Sequence, residues 1–440
     1  MSELALSRRQ VWSKSWPLIF ANGLVPLVGV VDTAVIGLSG NSTQLAGVAL
    51  GSAVFAIFIW STYPLRQSTT GLVAQAIGAG NVFESHLVLL RSILLGLCIG
   101  ALVFLFKQPL SDLAFELLSG SDNAEKSGRQ YVAWRFFGTP AAIALFAVTG
   151  WMIGAGMARL AMLVQLVLAG TNAALDVWFV IGLGWGPSGV AAGTSIAEWL
   201  ALALGVWLVL RHVRRTELVA FRMDQVFHLS AFLQLLAVNR DLFIRSLSMV
   251  FGFTWFINSG ARQGDAILAG NQILLQFITV WAFVLDAFAF TAEAETGRAK
   301  GRNSVADLMR AVRFTSEFAV AAALICGGIT FVFAPMILPV MIRDPAALQA
   351  ALEFVPWCAM VPVIGVVAWQ LDGIFVGATR SQAMRNSAIV SLLIYLAADF
   401  LLAPIFGNTG VWAAFLLYYL ARGATLSLAW PALKRAVQSG

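Results

Sequence analysis

The chain has 440 residues, of which 59% are hydrophobic and 11% charged, with a formal net charge of +6 and a mean hydropathy of +0.83. Soluble domains carry roughly 25% charged residues, so this composition excludes a soluble globular protein and calls for a lipid environment. The basic excess is scattered over the ends of apolar runs. That pattern argues against nucleic-acid binding and for contact with anionic headgroups.

Twelve apolar runs approach the roughly 20 residues needed to cross a bilayer. They are 15–38, 46–72, 87–106, 127–152, 160–183, 188–211, 239–261, 267–291, 315–340, 352–377, 384–404 and 409–431. The first, SWPLIFANGLVPLVGVVDTAVIGL, carries Asp32 inside it. An ionised carboxylate near the bilayer centre costs about 2.5–3.5 kcal/mol, so a chain that keeps one there is expected to use it. Pro17 and Pro26 each remove a backbone hydrogen bond, which predicts a bent or bendable helix. Asn22, Gly29 and Asp32 fall on one face. No small-residue cleavage site follows, so the span is expected to be retained.

Alternate loops differ in basic content. One set holds Arg159, then Arg211, Arg214, Arg215 and Arg222, then Arg298, Lys300, Arg302, Arg310 and Arg313, and later Arg380, Arg385, Lys434 and Arg435. The other set is nearly bare, the mixed loop 107–129 excepted. The positive-inside rule therefore predicts cytoplasmic termini and an even number of spans. Cys98, Cys326 and Cys358 all lie in apolar segments, which predicts packing roles and no disulfide framework.

The chain matches itself at an offset of 223: Leu45-Ala46-Gly47 falls on Leu268-Ala269-Gly270, Gly154-Ala155 on Gly377-Ala378, and Asp176 on Asp399. The expected organisation is an N-terminal lobe over 1–212, a cytoplasmic linker over 213–238 and a C-terminal lobe over 239–440. Six spans per lobe gives parallel repeats, a transporter architecture. The basic linker is read either as an amphipathic piece on the membrane surface or as a helix packed between the lobes. Asp32 aligns with Trp255, so any chemistry of Asp32 belongs to the first half.

In the fifth span Gln165, Asn172 and Asp176 share a face, and the sixth adds Thr194 and Glu198. Asp32, Asn172, Asp176 and Thr194 together supply two acids, an amide and a hydroxyl for one cavity. Two buried acids that face each other do not both ionise cheaply, so one is expected to hold a proton that a cation can replace. Oxygen ligands also suit Na⁺, and the spacing does not choose between Na⁺ and H⁺. Helix packing by these polar groups is the plainer reading. In the eighth span Gln272, Gln276, Thr279, Phe283, Asp286, Phe290 and Glu293 form a stripe expected to face water or a cleft. Glu293 and Glu295 read as solvated or paired charges, and Asp372 as a cavity, gating or packing residue. Arg66 either neutralises an acid or snorkels along a cleft.

The segments VDTAVIG at 31–37, LVAQAIGAGN at 72–81, TNAALDVWFVIGLGWGPSGVAAGT at 171–194 and LDGIFVGATRSQAMRN at 371–386 resemble the multidrug and toxic compound extrusion (MATE) family, in particular its DinF-like branch. The resemblance covers nearly the whole chain. It implies an all-α integral membrane protein of twelve helices in two pseudo-symmetric six-helix lobes. It also implies a bacterial inner-membrane antiporter, monomeric, that exports amphipathic, often cationic compounds in exchange for H⁺ or Na⁺ without a cofactor. Carried over, the coupling positions are Asp32, Asn172 and Asp176 with Thr194 nearby, and the helix bends at Pro17. The glutamate that another branch keeps in its seventh helix is missing here, where Thr254 and Trp255 stand.

Two alternatives accompany this reading. A flippase for lipid-linked sugars would show a strongly basic central cavity, whereas acids dominate the spans here. An intramembrane enzyme would show paired metal ligands, and His86, His212 and His228 form no such motif.

Overall fold

A computed structural model of the chain describes residues 6–38, 42–117, 121–216 and 223–438. Their regular structure is helical: α1 (Arg8–Leu38), α2 (Ser42–Thr62), α3 (Pro64–Gly78), α4 (Val82–Leu105), α5 (Lys107–Leu117), α6 (Asp122–Gly154), α7 (Ala158–Asp176) and α8 (Gly186–Thr216). There follow α9 (Met223–Val226), α10 (Leu229–Ala261), α11 (Asp265–Gly301), α12 (Val305–Met341), α13 (Pro345–Gly377), α14 (Ser381–Phe406), α15 (Asn408–Leu428) and α16 (Trp430–Gln438).

Among the described residues, eleven stretches are long and apolar enough to cross a membrane, with α2 and α3 forming one of them. The predicted span without a counterpart among them, 239–261, corresponds to α10, whose first half is interrupted by Arg240, Asp241 and Arg245. The helices outrun the predicted spans because their charged ends stay helical; α11 continues to Gly301 and α12 begins at Val305. Side-chain caps set several starts. Asn81 accepts the Glu84 N–H at 3.0 Å, and Asp344 caps α13 with Pro345 in its first turn. The helix α1 runs unbroken through Pro17 and Pro26.

The chain forms two compact units, one of Phe20–Ile77 and Asn81–Leu236, the other of the residues up to Ile19, Gly78–Gly80 and Ala237–Gly440. In the first, α6 packs against α2, α4 and α8. Its core includes Val35, Ile36, Phe55, Tyr131, Phe136, Val180 and Val190. In the second, α13 lies between α11, α12 and α15 over a core containing Phe256, Trp412, Phe415, Tyr418 and Tyr419.

The start of α1 belongs to the second unit. Ser15 and Thr291 share a 2.8 Å hydroxyl bond, and Lys14 donates to Glu295 at 2.7 Å. Glu295 is buried and also meets Arg298, so of the two readings offered for it the structure selects a paired charge rather than a solvated one. Part of the predicted linker, 217–222 with Arg222, lies outside the described residues. Within the remainder, α9 is tied to the first unit: Arg91 donates to the Val226 carbonyl at 3.1 Å and the Gln225 carbonyl at 2.7 Å.

Candidate functional site

Asp32 precedes Val35 and Ile36 on α1 by three and four residues, and those two enter the core, so the same helical face carries the carboxylate inward. Asp32 is 6% exposed, while Asn172 and Asp176, one turn apart on α7, are fully buried. The Asp32 carboxyl lies within hydrogen-bonding reach of both the Asp176 carboxyl and the Asn172 side chain. Asn172 Nδ2 donates to Thr194 Oγ1 at 3.0 Å, and Thr194 Oγ1 in turn donates to the Val190 carbonyl at 2.9 Å. The four residues that sequence reasoning grouped are therefore brought together.

The local backbone explains how Asp176 fits. A π-helical turn, Val177–Gly182, begins immediately after it. Such turns are rare and cluster at functional sites. On α8, Gly193 faces Asp176, and a Cβ built there would collide with Asp176 Oδ1.

The site is short of donors. Asp32 Oδ1, both oxygens of Asp176 and Asn172 Oδ1 are buried and accept no hydrogen bond from the described residues. Two carboxylates in contact cannot satisfy each other unless one carries a proton or a cation lies between them. The arrangement can thus hold an exchangeable positive charge.

Two further residues stand in this cluster. Arg135 of α6 makes a fork-on-fork pair with Glu198 of α8, both bonds 2.9 Å long, and its guanidinium lies 3.9 Å over the Phe55 ring. Asp32 is within electrostatic reach of Arg135. Sequence reasoning noted Glu198 only as a neighbour of Thr194 and missed Arg135. The available signal was an arginine inside an apolar run, YVAWRFFGTP.

Elsewhere the predicted residues separate. Asn22 and Gln165 are half-buried in the first unit. Gln276, Asp286 and Asp372 belong to the second unit, where Gln276 is exposed, Asp286 half-buried and Asp372 buried. The stripe on α11 is therefore no single surface, because its later members Phe290 and Glu293 are buried. Asp372 Oδ2 accepts from Arg245 Nη2 at 2.6 Å and from Arg422 Nη2. Sequence reasoning linked neither Arg245 nor Arg422 to Asp372. Arg135, Arg245 and Arg422 are all buried, so basic charge stands beside the acids in the interior. Arg66 is buried, with its guanidinium 4.9 Å from the Tyr63 ring centre.

Comparison with known proteins agrees with this architecture. The MatE family model matches residues 17–178 and again 242–401, one match in each half. "DNA damage-inducible protein F" of Escherichia coli (strain K12) is 34% identical over 98% of this chain and 93% of its own length. "Multidrug export protein MepA" of Staphylococcus haemolyticus is 21% identical, covering 90% of this chain and 87% of that protein. A MOP superfamily transporter from Pyrococcus furiosus superposes with a TM-score of 0.89 at 20% identity, over 98% of this chain and 97% of that one. The twelve-helix fold is the one shared by these transporters, and the family consists of transporters rather than enzymes. The chain, 34% identical to a relative along nearly its whole length and matched twice by the family model, belongs to the MatE family of membrane transporters.

Proposed function

We propose that this transporter is a multidrug efflux antiporter of the bacterial inner membrane, with both termini cytoplasmic. It exports amphipathic, often cationic compounds in exchange for H⁺, coupled through Asp32. The observation that carries this reading is the Asp32–Asp176 contact, where buried carboxylate oxygens have no donor among the described residues. A proton and an organic cation compete for that negative charge, and neither is held by a permanent partner. Proton uptake from outside neutralises the pair, bends α1 near Pro17 and Pro26, and releases the exported cation; proton loss to the cytoplasm resets the site. Asn172 and Thr194 hold the acids in place. A potential of 100 mV with half a pH unit supplies about 3 kcal/mol per proton, on the order of a hundredfold gradient of a neutral compound.

The relatives' names point the same way, one of them being called a multidrug export protein. A Na⁺-coupled version rests on the same oxygen ligands, Asp32, Asn172, Asp176 and Thr194. The flippase alternative asks for uncompensated basic charge, whereas Arg135, Arg245 and Arg422 each bond an acid. The test is uptake of a fluorescent organic cation into inside-out proteoliposomes under an imposed pH gradient or an imposed Na⁺ gradient. Drive by the pH gradient alone, lost in Asp32→Asn, supports the proposal. Drive by Na⁺ alone reassigns the ion, and full activity in Asp32→Asn removes the coupling role.

A further inference from the structure

The exchange proposed for the first unit leaves the buried arginines of the second without a task. Asp372 of α13 serves two of them through one oxygen: its Oδ2 accepts from Arg245 Nη2 of α10 at 2.6 Å and from Arg422 Nη2 of α15. Arg245 is 7% exposed and Arg422 3%. Two guanidiniums on one carboxylate leave one positive charge over. Among membrane-spanning helices a surplus charge is expensive, and residues that keep it there are expected to have a use for it.

The groups around the pair suit the head of an anion. Arg245 Nε, Tyr418 Oη and Tyr395 Oη are buried and meet no partner among the described residues. Distances tie them together. The Arg422 guanidinium lies 5.7 Å from the Tyr418 ring centre and 5.8 Å from that of Tyr419, and the Tyr395 and Tyr418 rings are 5.3 Å apart. On α10, Arg245, Met249 and Gly252 follow at four and three residues, which is one helical face. That face meets α15: Arg422 Nη2 is 3.5 Å from Met249 Sδ, and a Cβ built on Gly252 would stand 3.4 Å from Tyr418 Oη. The Tyr418 hydroxyl thus faces a position that no side chain covers. Met249 and Phe253, one turn apart, are half-buried and offer an apolar edge beside the charge. Two more acids stand within electrostatic reach of the tyrosines. Asp399, by Tyr395, already accepts from Trp255 and Ser259; Asp286 of α11, by Tyr419, is half-buried.

We infer that the second unit holds an anion site, in which Arg245 and Arg422 receive the monoanionic oxyacid head (carboxylate, sulfonate or phosphodiester) of an amphipathic molecule. The unused Nε–H of Arg245 and the Tyr418 hydroxyl donate to that head, and the apolar body lies along Met249 and Phe253. Guanidinium forks match the geometry of such heads, and a phenol O–H donates to them. One surplus charge matches one monoanion and falls short of a pyrophosphate. The competing reading is a static tie of α10, α13 and α15 through Asp372.

Binding of 1-pyrenesulfonate is measured by fluorescence titration of the full chain in phosphatidylcholine nanodiscs, empty discs subtracted, against 1-pyrenemethanol, which has the same body and a neutral head. The parent is expected to prefer the sulfonate by about tenfold, the range of a charge-assisted hydrogen bond. Arg245→Gln and Arg422→Gln each leave Asp372 one arginine, and each is expected to abolish that preference. Tyr418→Phe is expected to weaken the sulfonate several-fold and leave the alcohol unchanged. In Asp372→Asn the sulfonate takes the place of the lost carboxylate, so the probe raises the melting temperature by more than it does in the parent. Equal affinity of the parent for the two probes overturns the inference. So do arginine variants that melt lower yet keep the preference, which is the result of a static tie. Should an arginine variant not fold, the parent's preference and Tyr418→Phe decide by the same criteria. Repeating the titration with phosphatidylglycerol in the discs separates the sources of the head: lost sulfonate binding identifies a lipid headgroup as occupant, and unchanged binding a free compound. The exchange proposed at Asp32 is read by proton drive and not by anion affinity, so either reading fails without the other.

Discussion

Trp255 donates its indole N–H to Asp399 at 2.9 Å, and these two positions are the repeat counterparts of Asp32 and Asp176, each 223 residues further along. Ser259 adds bonds of 2.9 and 2.8 Å to the same carboxylate, and Arg262 lies 5.2 Å over the Trp255 ring. One half of the duplicated pattern thus holds a satisfied acid. The other sets two acids together, and the buried oxygens Asp32 Oδ1 and Asp176 Oδ1 and Oδ2 have no donor among the described residues. A satisfied buried carboxylate ties helices, whereas an unsatisfied pair invites a proton, and this asymmetry motivates locating the exchange in the first unit.

Trp255→Phe keeps the ring and removes the N–H. Because a hydrogen bond to a charged group contributes about 1.5–3 kcal/mol, the variant is expected to melt several degrees lower in detergent. Its proton-driven exchange is expected to match the parent's. A loss of coupling with unchanged stability would contradict a structural role for Asp399.

Asp372→Asn tests the second unit. The change leaves Arg245 and Arg422 buried without their shared carboxylate. Breaking a buried ion pair from one side costs about 3–5 kcal/mol. The expected outcome is a large fall in unfolding temperature, partly recovered by Arg245→Met on the same background. A stable Asp372→Asn protein with abolished transport would instead place Asp372 in the exchange itself.

A pair of glycine variants separates the site from general helix effects. Gly193→Ala puts a methyl group against Asp176, so transport is expected to fall at least tenfold even where the protein still folds. Gly23→Ala on α1 meets no atom within 4 Å and is expected to leave transport intact, with stability unchanged or slightly raised. Initial rates in proteoliposomes, normalised to reconstituted protein, decide both.

The sequence exposed Asp32 because one carboxylate in an apolar run is visible without any tertiary knowledge. It exposed Asn172, Asp176 and Thr194 because they follow helical spacing on two adjacent spans. It did not expose the arginine pairs, since Arg135 and Glu198 are 63 residues apart and Arg422 and Asp372 are 50 apart, and no local periodicity links them. The fit of Asp176 against Gly193 and the π turn after it were equally hidden, being consequences of how α7 meets α8. The α11 stripe misled for a related reason. Its spacing is that of one face, but packing against α12 and α13 buries the later half of that face.

The most direct measurement is proton release on substrate binding. Purified protein in weakly buffered detergent solution near pH 7 is titrated with an amphipathic organic cation while a pH indicator reports released protons. The parent is expected to release close to one proton per cation bound, and Asp32→Asn none while still folded. Binding by the parent without proton release, or equal release by Asp32→Asn, would contradict the claim that the acid pair at Asp32 and Asp176 carries the exchanged charge.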